Sequence, residues 1–321
     1  MSKINQIWTI TNGNRGNEVN CEGICAYLDA DDIRPMTVKR HWFNNITAPY
    51  WPSVMAAGLD HQIAAPWPDM VIASSRIAAP YARYVKNASD GKTFTAYLQD
   101  PQCNPKHFDF IWAPEHDKLY GPNVFNTLLS PHKLTPHLLS EEGAKWVHRF
   151  SDQKRNILGV VIGGPNSAYQ FAEDEVIRFT EQLIDLSKTF YLIISVSRRT
   201  PADLTKRVLN AINPENAYIY SGSGDNPYPA LLNIADALLV TADSVNMTGE
   251  ACASGKPVYV LRLRTKKRTK FELFQDNLEA QGLTKAFNGQ IELWDNTALD
   301  DTPDIARALF NAYSAHKAVN G

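Results

Sequence analysis

The chain has 321 residues, 44% hydrophobic and 21% charged, which is the composition of a soluble globular protein long enough for two ordinary domains. The formal net charge is −2, so overall charge gives a nucleic-acid role no support. No run of about 18 apolar residues marks a transmembrane helix, and the start MSKINQIWTITNGN lacks the long apolar core of a signal peptide. A cytoplasmic protein is expected. The four cysteines, Cys21, Cys25, Cys103 and Cys252, are scattered, as suits reduced thiols rather than a disulfide framework.

Strands and helices alternate from the start. Ile7–Ile10 reads as a short strand, 11–17 as a turn with two glycines, and Glu18–Leu28 as a helix. The G-x-x-G spacing is not a dinucleotide fingerprint and reads equally as a generic turn. Pro35–Lys39 is a second strand. Residues 41–68, rich in Trp and Pro, are expected to be irregular. Strands follow at 69–73, 93–98 and 108–113, with a helix over 77–86. Polar residues come directly after each strand: Ser74-Ser75-Arg76, Gln99-Asp100 and Glu115-His116-Asp117. Strand carboxyl ends are where α/β proteins place their chemistry.

A helix over 140–150 and the charged break 151–156 suggest a boundary, with domains at 1–150 and 151–303 and a closing helix from 304 that could pack back on the first domain. The second series has strands at 157–162, 190–196, 217–220, 235–240 and 258–263. Helices are expected at 173–187 and 202–212, and another ends near Ile234. The segment 240–258 is the most informative: buried strand, polar turn, short helix, Gly255 stop, Pro257, next strand. Asp243, Ser244 or Asn246 can cap its helix. The fold class is therefore α/β, two Rossmann-like domains facing one another.

A helix N-terminus at the end of a parallel strand presents unpaired amides and a positive dipole end to anions. Asp243 and the helix start 244–248, comprising Ser244, Asn246, Met247 and Thr248, are nucleotide-binding candidates, the helix start for the diphosphate, although the Met247 side chain reads as packing. Glu250, one turn further, could accept hydrogen bonds from ribose hydroxyls. Gly163 and Gly164 would let the backbone approach a ligand. Arg198 and Arg199, with Ser197, follow the strand 190–196 and could bind a diphosphate. Each arginine reads alternatively as a solvated surface residue. In the first domain, Glu18, His116 and Asp117 are the candidates for a catalytic base; Arg15, Arg76 and Asp100 are weaker, Asp100 reading also as a turn residue. The run 262–270 carries six positive charges in nine residues, a candidate peripheral contact with anionic lipid or a solvated loop.

Several segments resemble a known family: SSRIAAP (74–80), QDPQ (99–102), FDFIWAPEHD (108–117), GPNVFNTLL (121–129), VVIGGPNSAY (160–169), SVSRRTP (195–201), the stretch 226–260, and FELFQDNLEAQGL (271–283). They span most of the chain, which is similar to the mitochondrial fission "elongated mitochondria" family in a bacterial form. One departure is the serine before Arg76, where the resemblance leads us to expect glycine. The resemblance implies the two-domain GT-B architecture of glycosyltransferases, with a nucleotide-sugar of UDP or GDP type bound by the second domain through Gly163, Gly164, Ser244 and Glu250. It implies sugar transfer to an unidentified acceptor hydroxyl in the cleft between domains, with no permanently bound cofactor and no metal. Two alternatives stand beside this. One is a non-catalytic scaffold using 42–67 or the basic run on a protein or the inner membrane, the other a sugar-nucleotide epimerase. The plant member's role in recruiting a dynamin-like protein does not carry over to this chain.

Overall fold

The computed structural model describes residues 3–39, 63–166, 168–265 and 269–320. The chain forms two compact units, Met1–Lys133 with Asp301–Gly321, and Leu134–Asp300.

Unit 1 contains β1 (Ile4–Thr11), α1 (Arg15–Cys25), β2 (Ala30–Thr37), β3 (Met70–Ser74), α2 (Ala79–Ala88), β4 (Phe94–Leu98), β5 (Phe110–Pro114) and β6 (Val124–Thr127). Its six strands run parallel in the order β2-β1-β3-β4-β5-β6. Successive side chains enter opposite faces. Met70, Ile72, Phe94, Ala96, Phe110 and Trp112 pack on one side with Ile24 of α1. Val71, Ala73, Tyr97, Ile111 and Ala113 pack on the other with Tyr81 and Val85 of α2. Both faces are covered, which is why the central strands read as unbroken apolar runs.

Unit 2 contains α3 (Pro136–Val147), β7 (Ile157–Ile162), α4 (Glu173–Leu186), β8 (Tyr191–Val196), α5 (Ala202–Ala211), β9 (Ala217–Tyr220), α6 (Tyr228–Ile234), β10 (Ala237–Thr241), α7 (Val245–Ala253), β11 (Val258–Leu261), α8 (Lys270–Ala280) and β12 (Lys285–Ala286). The sheet order is β12-β11-β10-β7-β8-β9, again parallel. The last helix, α9 (Thr302–Asn320), returns to unit 1. Its Ile305, Leu309 and Tyr313 are fully buried beside Ile4, Ile7 and Phe94. Asp301 accepts from the Leu129 amide at 2.8 Å, and Lys317 lies 3.1 Å from Asp69.

Four features differ from the sequence reading. The division falls at 133/134, ahead of α3, rather than near 150. The reason is packing: Leu134 and Leu139 are buried in the unit 2 core, and Gly143 brings α3 so close to α6 that a β-carbon there would collide with the Asn233 side chain. β2 begins at Ala30 rather than Pro35. It is an edge strand whose Asp31 and Asp32 face outward, Asp32 accepting from the Gln6 side chain at 2.7 Å. β6 is a four-residue edge strand that sequence periodicity did not reveal. α8, read only as a phenylalanine-rich stretch, is started by a capping box between Thr269 and Glu272. The aromatic stretch 42–67 lies mostly outside the described residues.

Ser75, the residue where glycine was expected, follows β3 with φ at +105°, a conformation that costs an L-residue about 1–3 kcal/mol. Its hydroxyl is buried without a hydrogen-bond partner. Ser75→Gly is accordingly expected to raise stability by about 1 kcal/mol, part of the relieved strain being offset by the added freedom of the unfolded chain. Urea denaturation of the two proteins side by side checks this; an unchanged or lower midpoint would contradict it.

Candidate functional site

In unit 2 the strands β10, β7 and β8 are neighbours, so their carboxyl ends lie within about 10 Å of one another. Each end carries polar residues, and hydrogen bonds weld the three together. β10 ends in Thr241, which donates to Asp243 Oδ1 at 2.6 Å and accepts from the Gly163 amide at 2.8 Å. Asp243 Oδ2 accepts from the Gly164 amide at 2.9 Å. The Asn166 side-chain amide donates to the Asp243 carbonyl at 2.9 Å. After β8, Thr200 Oγ1 accepts from the Ser197 amide at 2.9 Å and donates to the Gly163 carbonyl at 2.6 Å.

The structure gives the paired glycines a reason different from ligand approach. A β-carbon on Gly163 would collide with the Asp243 carboxylate, and one on Gly164 with the Arg199 carbonyl. Both are glycine because protein already fills the space. Asp243 is likewise an internal clamp, its side chain wholly shielded from solvent. Burial raises its carboxyl pKa, while the hydroxyl of Thr241, the Gly164 amide and Arg199 pull the other way.

The two arginines separate. Arg199 leans inward, 3.3 Å from Asp243 Oδ2. Arg198 is exposed, with no ion pair among the described residues. Ser244 is the cap of α7, its hydroxyl accepting from the Met247 amide at 3.3 Å. Asn246 is half-buried, and the Met247 side chain packs against the unit 2 core. Thr248 is fully buried, its hydroxyl donating to the Ser244 carbonyl at 3.0 Å and accepting from Gln275 at 3.2 Å. It supports the helix start from beneath.

Glu250 lies in the second turn of α7, only 7% exposed. Its Oε2 accepts a short hydrogen bond from the Tyr228 hydroxyl at the start of α6. Burial, then the Glu250 charge and that hydrogen bond, hold the Tyr228 phenol well above its ordinary pKa. Tyr228 was not singled out from sequence. It stands inside the quoted stretch 226–260, but nothing in one chain links it to a glutamate 22 positions away.

In unit 1, Glu18 sits in the first turn of α1, 3.4 Å from Arg15, whose guanidinium is shared with Glu22 at 2.5 Å. His116 and Asp117 form a short helical turn directly after β5. Their side chains are nearly buried, with His116 Nε2 3.8 Å from Asp117 Oδ1. β1 and β5 are three strand spacings apart, so Glu18 does not join that pair: the separation is about 14 Å at the strand ends. Asp100 accepts from the Gln102 amide at 2.8 Å, the bond of a turn residue.

The basic run is partly neutralised. Arg262 pairs with Asp276 and Glu279 at 3.1 and 2.9 Å, and Arg264 with Asp174 at 2.7 Å. Lys266, Lys267 and Arg268 lie outside the described residues. Among the described residues no helix is long and apolar enough to cross a membrane.

The profile of a family described as Mitochondrial fission ELM1 matches residues 15–313. The chain belongs to this family. The Arabidopsis thaliana mitochondrial fission protein ELM1 is 28% identical over 271 residues; the match takes in 75% of this chain and 63% of that one, so the chain spans under two thirds of the plant relative. An uncharacterized Rickettsia prowazekii protein is 25% identical, with 97% of this chain and 99% of that one aligned. This ELM1-family chain also shares its fold with solved structures. One is the Methanocaldococcus jannaschii UDP-GlcNAc 2-epimerase in complex with UDP-GlcNAc and UDP (TM-score 0.54, 13% identity, 97% and 92% of the two chains). Another is the glycotransferase of kitacinnamycin (TM-score 0.53, 12% identity, 100% and 97%). Two parallel six-stranded sheets flanked by helices make it an α/β protein similar to GT-B glycosyltransferases and epimerases.

The clamp has a pH signature. With a raised pKa, folded Asp243 holds its proton at pH values where the unfolded chain has released it. Stability from this group is therefore complete below the ordinary carboxylate range and falls as pH rises through the raised value. Asp243→Asn is expected to flatten that fall, read as the urea midpoint of the second unit between about pH 4 and 7. An identical pH slope in both proteins would contradict it.

Proposed function

We propose that unit 2 binds the nucleoside diphosphate of a sugar donor, UDP or GDP in type, and that the chain is a glycosyltransferase moving the sugar to an acceptor hydroxyl. The observation that carries this reading is the set of groups at the β10, β7 and β8 ends. The capped start of α7 supplies amides and a dipole, exposed Arg198 a cation, and Glu250 a carboxylate one turn along. A diphosphate leaving with two negative charges is stabilised by such donors, most in the transition state, where the charge develops. Arg199 acts at one remove, by holding the loop against Asp243. The chemistry calls for no permanently bound cofactor and no metal.

The attacking hydroxyl must lose its proton as the new bond forms. Among the unit 1 candidates, His116 with Asp117 fits better than Glu18. The imidazole has a carboxylate 3.8 Å away to orient it, whereas the Glu18 carboxylate is engaged by Arg15 at 3.4 Å.

Two measurements test the reading. In calorimetry UDP or GDP is expected to bind, and Glu250→Ala to weaken binding by roughly tenfold, the worth of hydrogen bonds to a charged group. No binding by either nucleotide, or equal binding by the variant, sinks the assigned site. His116→Ala is expected to leave nucleotide affinity intact while lowering transfer by about 100-fold or more. Product analysis with a nucleotide-sugar alone separates the epimerase alternative, since epimerisation proceeds without acceptor.

A further inference from the structure

The turn after β3 carries two costs that one substitution would remove. Ser75 holds left-handed backbone, and its hydroxyl is buried without a hydrogen-bond partner. The residue as a whole is only 8% exposed. Glycine there would relieve the backbone and delete the unmatched hydroxyl together. Its neighbour Ser74 is matched, donating toward Asn17 Oδ1 at 3.2 Å on the α1 side of the sheet. Successive side chains along a strand take opposite sides. Ser75 therefore continues the side of Val71 and Ala73, where Ala78, Ala79, Tyr81 and Val85 pack. Its hydroxyl lies on the side from which α2 starts.

That helix start is rich in donors and poor in acceptors. The Ser75 carbonyl accepts from the Ala78 amide at 2.9 Å. The amides of Arg76, Ile77 and Ala79 make no hydrogen bond among the described residues. No side chain caps α2, and no acidic residue stands in its first turn. Arg76 is exposed, with no ion pair or side-chain hydrogen bond among the described residues. Asp100, after the adjacent strand β4, is engaged by the Gln102 amide at 2.8 Å.

We propose that the turn 75–79 is a phosphate site of unit 1, in which the Ser75 hydroxyl, the Arg76 guanidinium and the free amides at the start of α2 hold the phosphate group of a small ligand. An anion at a helix start gains from unpaired amides and from the positive end of the dipole. A guanidinium matches two phosphate oxygens at once. Serine has a single side-chain torsion with three staggered positions, so one rotation brings its hydroxyl to a phosphate oxygen. The stability given up at Ser75 is recovered when the ligand accepts from that hydroxyl. Every residue of this site belongs to unit 1, so it is separate from the nucleotide site read in unit 2 and stands without it.

The test is a titration of the full chain with glycerol 3-phosphate, read by NMR at the backbone amides of Ile77 and Ala79. Inorganic phosphate and plain glycerol are titrated in parallel, on wild type, Ser75→Gly and Arg76→Ala. Reading these two amides separates the turn from phosphate held anywhere else. In wild type both resonances should shift and saturate with a phosphate ligand, and glycerol should leave them in place. Ser75→Gly should raise the apparent Kd about fivefold, the worth of one hydrogen bond, although the ligand-free variant is the more stable protein. Arg76→Ala should raise it by roughly tenfold or more. Tighter binding of glycerol 3-phosphate than of the inorganic ion identifies the ligand as a phosphate ester, and the reverse identifies the free ion; either order supports the site. Resonances that stay in place with both phosphates overturn the proposal, as does an unchanged Kd in either variant. A purely structural serine would move the melting temperature and not the Kd. If Ser75→Gly fails to fold, Ser75→Ala replaces it, losing the hydroxyl alone, and an unchanged Kd there overturns the proposal equally.

Discussion

The Asp243 carboxylate holds the second unit's loops in place. It is wholly buried, yet three donors from three strand ends converge on it: the Thr241 hydroxyl, the Gly164 amide and the Arg199 guanidinium. A buried charge without partners would cost several kcal/mol, so the loops are stable in the arrangement that supplies them. That requirement fixes Gly163 and Gly164 as glycines, brings Ser197–Thr200 down on β7, and leaves Ser244 at the helix cap. The exposed groups, Arg198 above all, then stand on a rigid base. Sites of this kind gain precision because the residues that touch ligand are not the residues that hold the loops.

Unit 1 is built differently at the equivalent ends. Ser75 carries left-handed backbone after β3, and Gln99 does the same after the adjacent β4, with φ at +86°. Non-glycine residues persist in such conformations only where the surroundings impose them. The near-buried pair His116–Asp117 follows β5, the next strand in the sheet. Strain and shielded polar groups thus gather along one edge of three neighbouring strands. Among the described residues, unit 2 by contrast has its positive φ angles on glycine alone.

The β-turn-α units of the second half were legible because parallel strands covered on both faces are continuous apolar runs, each ended by an abrupt polar turn. Leu238–Thr241 followed by Asp243-Ser244 is the clearest case. Where an element is exposed the signal fades: β2 hides its first half behind Asp31 and Asp32, and β6 has only four residues. The unit boundary was misplaced because Leu134 and Leu139 look the same whichever core receives them. Among the site residues, types were readable and tasks were not. Asp243 and Thr248 have the chemistry of ligand contacts, but neighbours far along the chain consume it: Gly164 and Gln275. Tyr228 carried no signal, since its meaning depends wholly on standing beside Glu250.

The return of α9 to the first unit bears on how the chain is made. Ile305, Leu309 and Tyr313 complete an apolar layer with Ile4, Ile7 and Phe94, yet they are synthesised only after all of Leu134–Asp300. At about 5–20 residues per second the ribosome takes on the order of ten to thirty seconds to cross that stretch. During that interval the part of this face that α9 covers beside α1 waits bare, while the second unit, contiguous in sequence, can close as soon as it emerges. The later unit in the sequence is thereby free to be the earlier one to mature, and the nascent first unit is the part of the chain a holding chaperone would have most reason to shield.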